Sequence, residues 1–257
     1  QHNPYITKVH VLENSLVNLS AELRKEKFDY VIDLHHNQRT WLLKLLLGVK
    51  SFSFNKINFE KWLYVNFKIN YLPQEHIVDR YLATCQTLAV ENDGEGLDYF
   101  IDECDRIDLK SLPAEFQNGY VAWVIGAKQN TKKFPAAKIA NTILHSAFPK
   151  YPVVLLGGNE DENDGEKIKA LTHALNISVL NACGKYSLNQ SASLLQQAKL
   201  VVANDTGLMH IAAAFKKTVI SIWGNTVPAF GMSPYYGNRE IKNAKIEIEN
   251  LNCRPCS

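Results

Sequence analysis

Four short stretches of this chain carry residue types and spacings suited to holding an anion. Asn204-Asp205-Thr206-Gly207-Leu208-Met209-His210 places a carboxylate, a hydroxyl, a glycine and an imidazole within one turn and the helix start that follows it. Asp205 or Thr206 is positioned to cap free backbone N–H groups, and Gly207 admits a ligand to the main chain where the helix dipole favours negative charge. Gly126-Ala127-Lys128 and Thr131-Lys132-Lys133-Phe134-Pro135 set cations and a hydroxyl just before Pro135, which suits the first turn of a helix. A glycine for close approach, outward N–H groups and an ammonium together fit a diphosphate. Gly157-Gly158, followed by Glu160-Asp161-Glu162, and Gly224-Asn225-Thr226-Val227-Pro228 are further polar turns. The same stretches also read as a capped core helix with one satisfied histidine and as a lysine-rich surface loop.

The elements around them must bring these turns together. Leu200–Asn204 reads as a buried strand feeding a helix in which Leu208, Ile211, Ala212 and Phe215 mark one face, with Thr206 and His210 one turn apart on the opposite face. Thr218–Trp223 is the next strand. Tyr120–Ile125, Val153–Leu156 and Ile177–Leu180 are further apolar strands, and helices are expected from Pro135 to about Phe148, Glu162 to about Ala174 and Leu188 to Ala198. Strands alternating with helices imply a parallel sheet, so the turns starting at Gly126, Gly157, Asn204 and Gly224 converge on its C-terminal edge, where open α/β sheets bind ligands. There is no G-x-G-x-x-G and no Walker loop, which removes the usual support for dinucleotide oxidoreductases and P-loop enzymes.

The first part of the chain has the same alternation. Ile6–Leu12 is an expected strand, Ser15–Lys25 an amphipathic helix, Tyr30–Leu34 a buried strand and Thr40–Leu47 a helix. His35-His36-Asn37-Gln38-Arg39 between the last two is either a ligand-facing turn or a solvated one. Lys50–Tyr71 mixes aromatic residues with Lys50, Lys56, Lys61 and Lys68; it reads first as amphipathic side chains covering a core, second as a membrane surface, with nucleic-acid stacking a third possibility. His76–Leu88 is an expected helix. Residues 93–118, acidic and glycine-containing, read as a connection with a short strand at Leu97–Ile101, between a domain at 1–115 and another at 116–257.

The totals narrow the function classes. A chain of 257 residues, 46% hydrophobic, fits one large or two ordinary domains. A net charge of +2 is too small to argue for nucleic acid, and no nucleic-acid partner is expected. The longest apolar run, Trp41–Gly48, is broken by Lys44 and too short to cross a bilayer, and no basic-then-apolar leader follows Gln1. Cys85, Cys104, Cys183, Cys253 and Cys256 are an odd, scattered set, which points to a reducing compartment; Cys253 and Cys256 form half a zinc site at best. No pair of aspartates with a single spacer offers a divalent cation a seat beside a diphosphate.

Asn204-Asp205-Thr206-Gly207-Leu208-Met209-His210-Ile211-Ala212-Ala213-Ala214, followed at this distance by Gly224-Asn225-Thr226-Val227-Pro228, resembles the signature of the ADP-heptose lipopolysaccharide heptosyltransferases, glycosyltransferase family 9. The likeness is strongest over Asn181–Pro234 and extends to Asn3-Pro4-Tyr5-Ile6, Asp33-Leu34 and Lys132–Pro135. It implies the GT-B fold, two Rossmann-like doubly wound α/β domains facing across a cleft, with donor bound mainly by the C-terminal one. It implies that Lys132 contacts the diphosphate and stabilises the leaving group. It also implies that Asp205, Thr206, Gly207, Leu208 and His210 form the sugar and phosphate edge beside Gly126, Thr131 and Gly157, that Thr226 lines the same cleft, and that Glu160 or Glu162 reaches the nucleoside. The family's opening strand and aspartate-bearing loop are not matched, so the N-terminal domain reads as incomplete and no catalytic base is named.

The activity so implied is inverting, metal-independent transfer of a heptose from ADP-heptose, or a related nucleotide sugar, to a lipopolysaccharide inner-core sugar, with no cofactor. The implied acceptor is lipid-linked at the inner-membrane surface, and the implied location is cytoplasmic, peripheral to that membrane. The alternatives are a nucleotide-sugar epimerase of the same architecture and a non-catalytic nucleotide-sugar binding module.

Overall fold

The computed structural model describes residues 3–13, 15–145, 151–173, 177–248, 251 and 253–256, and separates into two compact units, Asn3–Asp93 and Gly94–Ser257. Among the described residues no helix is long and apolar enough to cross a membrane.

In the first unit α1 (Leu16–Lys25), β1 (Tyr30–Asp33), α2 (Gln38–Leu47), β2 (Lys50–Ser53), α3 (Asn58–Phe67) and α4 (Ile77–Ala83) follow in order, with β1 and β2 paired in parallel. Residues 6–12 form no strand: a strand needs a ladder partner, and no described segment pairs with them. The expected helix over His76–Leu88 is instead α4 and a single 3-10 turn at Gln86–Leu88.

The turn after β1 is organised by buried Asp33. One carboxylate oxygen accepts from the backbone N–H groups of His35 (3.1 Å) and His36 (2.7 Å), and the other meets Lys44 Nζ on α2 at 2.8 Å. Asn37 caps α2 through Thr40 N–H at 2.9 Å, and His36 Nδ1 lies 2.8 Å from Phe54 O. The turn is therefore structurally pinned, while both histidines stay exposed. Burial alone would raise the Asp33 pKa, but the bonds from Lys44 and the His36 and His35 N–H groups hold it at about 2, against an ordinary 3.8. Because the folded-state pKa is depressed, the stabilisation is present above the unfolded value and is lost as pH falls from 3.8 through 2. Its size is about 2 kcal/mol. Asp33→Asn should cost about that much in urea unfolding at neutral pH, and the difference from wild type should shrink by pH 2. A difference that does not change with pH would remove Asp33 from this role.

The second unit contains β3 (Val121–Val124), α5 (Ala136–His145), β4 (Val153–Leu156), α6 (Glu162–Thr172), β5 (Val179–Asn181), α7 (Leu188–Gln197), β6 (Leu200–Asn204), α8 (Gly207–Ala214), β7 (Val219–Trp223) and β8 (Asn243–Glu247). All six strands are parallel, in the order β5-β4-β3-β6-β7-β8. Counted from β3 this is the 3-2-1-4-5-6 order of a doubly wound sheet, whose direction of winding reverses between β3 and β6.

Alternation along the strands builds a core on each face. Ala122, Val124, Val154, Leu156, Val201 and Ala203 pack with Leu194 and Leu195 of α7 and Met209 and Ala212 of α8. Val121, Trp123, Val153, Leu155 and Val202 pack with Ile139 and Ile143 of α5 and Ile168 of α6 on the other face. Strands covered on both faces are apolar throughout, which is why they stand out in the sequence. The helix ends expected at Phe148 and Ala174 lie outside the described residues. Among the described residues Leu97–Ile101 pairs with no strand; Tyr99 and Ile101 pack against the α7–α8 core, and Tyr99 Oη donates to Asn189 at 2.7 Å.

Candidate functional site

The register of β3 against β6 sets Val124 opposite Ala203, so the chain leaves the two strands together, at Gly126 and at Asp205. Asn204, fully buried at the end of β6, ties these exits by donating from its side-chain amide to Ile125 O at 3.1 Å. A cavity of about 310 Å³ opens at this switch point, lined by Gly126, Ala127, Lys128, Gly157, Glu160, Asp161, Thr206 and Leu208 among others. Glycines and Ala127 share its walls with Lys128, Glu160 and Asp161, and the start of α8 faces it through Thr206 and Leu208, so the positive end of that helix's dipole borders the space.

A second group adjoins it through the Asp205–Thr206 peptide. Lys132 Nζ donates to Asp205 Oδ2 at 2.6 Å, and Thr226 Oγ1 donates to the same oxygen at 2.9 Å. A cation, a carboxylate and a hydroxyl from three separate turns thus form one hydrogen-bonded chain. Lys132 sits in a 3-10 turn, Asn130–Lys132, whose Thr131 carbonyl lies against Gly224; a Cβ at Gly224 would stand 2.6 Å from that oxygen, so only glycine lets the two turns pack this closely. Burial lowers the His210 pKa below its usual 6.5, Asp205 opposing and Lys132 reinforcing, which keeps the ring neutral at neutral pH.

Of the residues singled out by sequence, Gly126, Gly157, Glu160, Thr206 and Leu208 meet around the cavity, and Lys132, Asp205 and Thr226 meet beside it. Thr131 contributes its carbonyl to the Gly224 packing, Gly207 lies exposed at the start of α8, and His210 lies one turn along that helix; none of these three lines the cavity. Glu160 lines it and Glu162 does not. Neither Asp205 nor Thr206 caps α8: Thr206 holds the cap position without a side-chain bond, and Asp205 Oδ2 is engaged by Lys132 and Thr226.

Three contributors were not legible as such. Asp161, buried, pairs with Lys133 and accepts from Gly158 N–H at 2.9 Å, fixing the glycine turn after β4; burying a carboxylate requires such a partner, but the sequence offered three acids in a row. Lys128, read from the sequence only as one of several cations in this stretch, is the one on the cavity wall. Arg254, fifty residues past Asn204, donates from Nε to Gly224 O at 2.9 Å and from Nη2 to Thr226 O at 2.9 Å, holding the turn that carries Thr226. No local signal announces that contact.

Comparison with known proteins gives a consistent set. The model of the family described as glycosyltransferase family 9 (heptosyltransferase) matches residues 16–256. Lipooligosaccharide heptosyltransferase 2 of Haemophilus influenzae is 39% identical over 95 residues, 37% of this chain and 27% of its own. Lipopolysaccharide heptosyltransferase 1 of Campylobacter coli is 24% identical over 245 residues, covering 88% of this chain and 71% of its own. Among solved structures, a family 9 glycosyltransferase from Veillonella parvula has a TM-score of 0.68 at 22% identity, over 93% of this chain and 69% of that one. An E. coli heptosyltransferase solved with ADP has a TM-score of 0.61 at 22% identity, over 90% and 70% respectively. The chain therefore spans about a quarter of the first of these relatives and about seven tenths of the others.

Proposed function

The chain belongs to glycosyltransferase family 9, and on that premise we propose that it carries the donor-binding part of an enzyme that moves a heptose from ADP-heptose to an inner-core sugar of lipopolysaccharide, with inversion and without a metal. The observation that carries this reading is the Lys132–Asp205–Thr226 chain beside a glycine-walled cavity at the sheet's switch point. A diphosphate placed there faces the N-terminus of α8 and the ammonium groups of Lys128 and Lys132, with Glu160 at the rim for a ribose or base. An E. coli relative was solved with ADP, and the reading extends that ligand to this chain.

In the proposed reaction an acceptor hydroxyl attacks the anomeric carbon from the face opposite the leaving group, losing its proton to a base that is not assigned. The C–O bond to the diphosphate breaks through an oxocarbenium-like state, and ADP departs with the electron pair. Charge accumulates on the departing phosphate oxygens, where the helix dipole and the lysines act. Asp205 keeps Lys132 in place and, already neutralised by it, does not repel the diphosphate.

Calorimetry with ADP and ADP-heptose on this chain tests the donor site. Binding of both, weakened in Lys132→Ala, supports it; no binding by a chain with a folded circular dichroism spectrum overturns it. Product analysis on the full-length gene product separates the chemistries. Glycoside formed only with acceptor fits transfer, a changed sugar nucleotide without acceptor fits an epimerase, and binding with no turnover fits a non-catalytic module.

A further inference from the structure

The first unit carries a surface that its own core does not explain. Helix α3 turns three of its four aromatic residues outward: Phe59 is 67% exposed, Trp62 51% and Phe67 58%, while Tyr64 is half-buried; Ile69 at 45% and Tyr71 at 69% follow. The three rings of α3 gather into one patch, Phe59 stacked on Trp62 at 6.2 Å between ring centroids and Trp62 edge-on to Phe67 at 5.2 Å. The core-covering role expected for this stretch is met by other residues. Phe54 and Ile57 are buried, with Phe54 edge-on to Tyr81 at 4.5 Å and under Arg80 at 5.5 Å. The outward aromatics are a second surface.

The charge of the stretch that carries the patch indicates what covers it. Between residues 50 and 71 there are four lysines, Lys50, Lys56, Lys61 and Lys68, and a single acid, Glu60. Protein–protein interfaces are enriched in Trp, Phe and Tyr but depleted in Lys, whereas clustered aromatics amid an excess of lysines suit an anionic bilayer, whose headgroup level accepts amphipathic rings and attracts ammonium groups. We propose that the outward face of α3 and the segment through Tyr71 form a docking surface for an anionic lipid bilayer, seating Phe59, Trp62 and Phe67 at the headgroup boundary. This deepens the reading above and rests on it, since a lipid-linked acceptor is met at a membrane.

The test is sedimentation of this chain with vesicles of phosphatidylglycerol and phosphatidylcholine, against vesicles of phosphatidylcholine alone, with ADP binding measured on the same preparation. Preferential partition into the anionic vesicles is expected, weakened by salt. It should fall about tenfold or more in Phe59→Ser/Trp62→Ser and in Lys56→Glu/Lys68→Glu, with unchanged circular dichroism, because both apolar contact and charge contribute to such binding. Trp62 is outward-facing, so its polar replacement leaves the buried core in place, and Trp62→Phe should abolish most of any vesicle-induced fluorescence blue shift while preserving partition. Equal partition into both vesicle types, no partition, or self-association lost in Phe59→Ser/Trp62→Ser without vesicle binding would each overturn the proposal. A chain that binds ADP but not vesicles sinks the docking surface alone; one that binds anionic vesicles but not ADP sinks the donor reading and leaves a bilayer-binding face.

Discussion

Lys132→Ala in the full-length gene product is expected to lower kcat/KM for the nucleotide sugar at least about a hundredfold, roughly 3 kcal/mol of transition-state stabilisation. Two effects add. The ammonium proposed to face the departing diphosphate is lost, and Asp205, whose side chain is only 9% exposed, keeps the Thr226 hydroxyl but loses its cation. The carboxylate then presents an uncompensated negative charge where the reaction accumulates more. Lys132→Ala/Asp205→Asn removes that repulsion and should recover about tenfold over the single variant, a coupling of more than 1 kcal/mol in a double-mutant cycle. Wild-type rates in Lys132→Ala would remove Lys132 from the mechanism; a double variant no better than the single would show that Asp205 acts only by positioning.

The sheet was readable because its strands are buried on both faces and its turns are polar, so Val121–Val124, Val153–Leu156 and Leu200–Asn204 appear as short apolar runs closed by glycine or asparagine. Parallel order then forces the turns to one edge without further information. Roles within the turns were less legible. Lys128, Lys132 and Lys133 are equivalent in composition, and only the fold assigns one to the cavity wall, one to Asp205 and one to Asp161. The aromatic stretch after Lys50 failed differently: composition gives the number of apolar rings but not the helix face they take, so Phe54 and Trp62 could not be told apart until α3 was placed. A residue whose partners lie thirty positions away, such as Arg254, leaves no trace in periodicity.

Arg254→Ala is the second large effect expected. Its side chain is 10% exposed, and its guanidinium reaches the C-terminal ends of both strands of the last pair: Gly224 O and Thr226 O after β7, Ile248 O at 2.9 Å and Glu247 Oε2 at 2.7 Å at the end of β8. Cys256 N–H adds a bond to Asn225 O at 2.9 Å, so the segment around Arg254 straps the turn that carries Thr226. Hydrogen bonds from a charged donor contribute about 1.5–3 kcal/mol each, and water can reach some of the abandoned carbonyls, so a net loss of about 3 kcal/mol is expected. For a unit of this size that is a fall in Tm of roughly 6–10 °C. Thr226 would lose its fixed position against Asp205, and ADP affinity should fall with it. Arg254→Lys should recover little of either property, since one ammonium cannot span carbonyls served by a planar fork. Calorimetry and thermal unfolding on the two variants measure both consequences. An unchanged Tm would mean the strap does not form in solution; a lowered Tm with wild-type ADP affinity would confine Arg254 to stability and detach the 224–226 turn from donor binding.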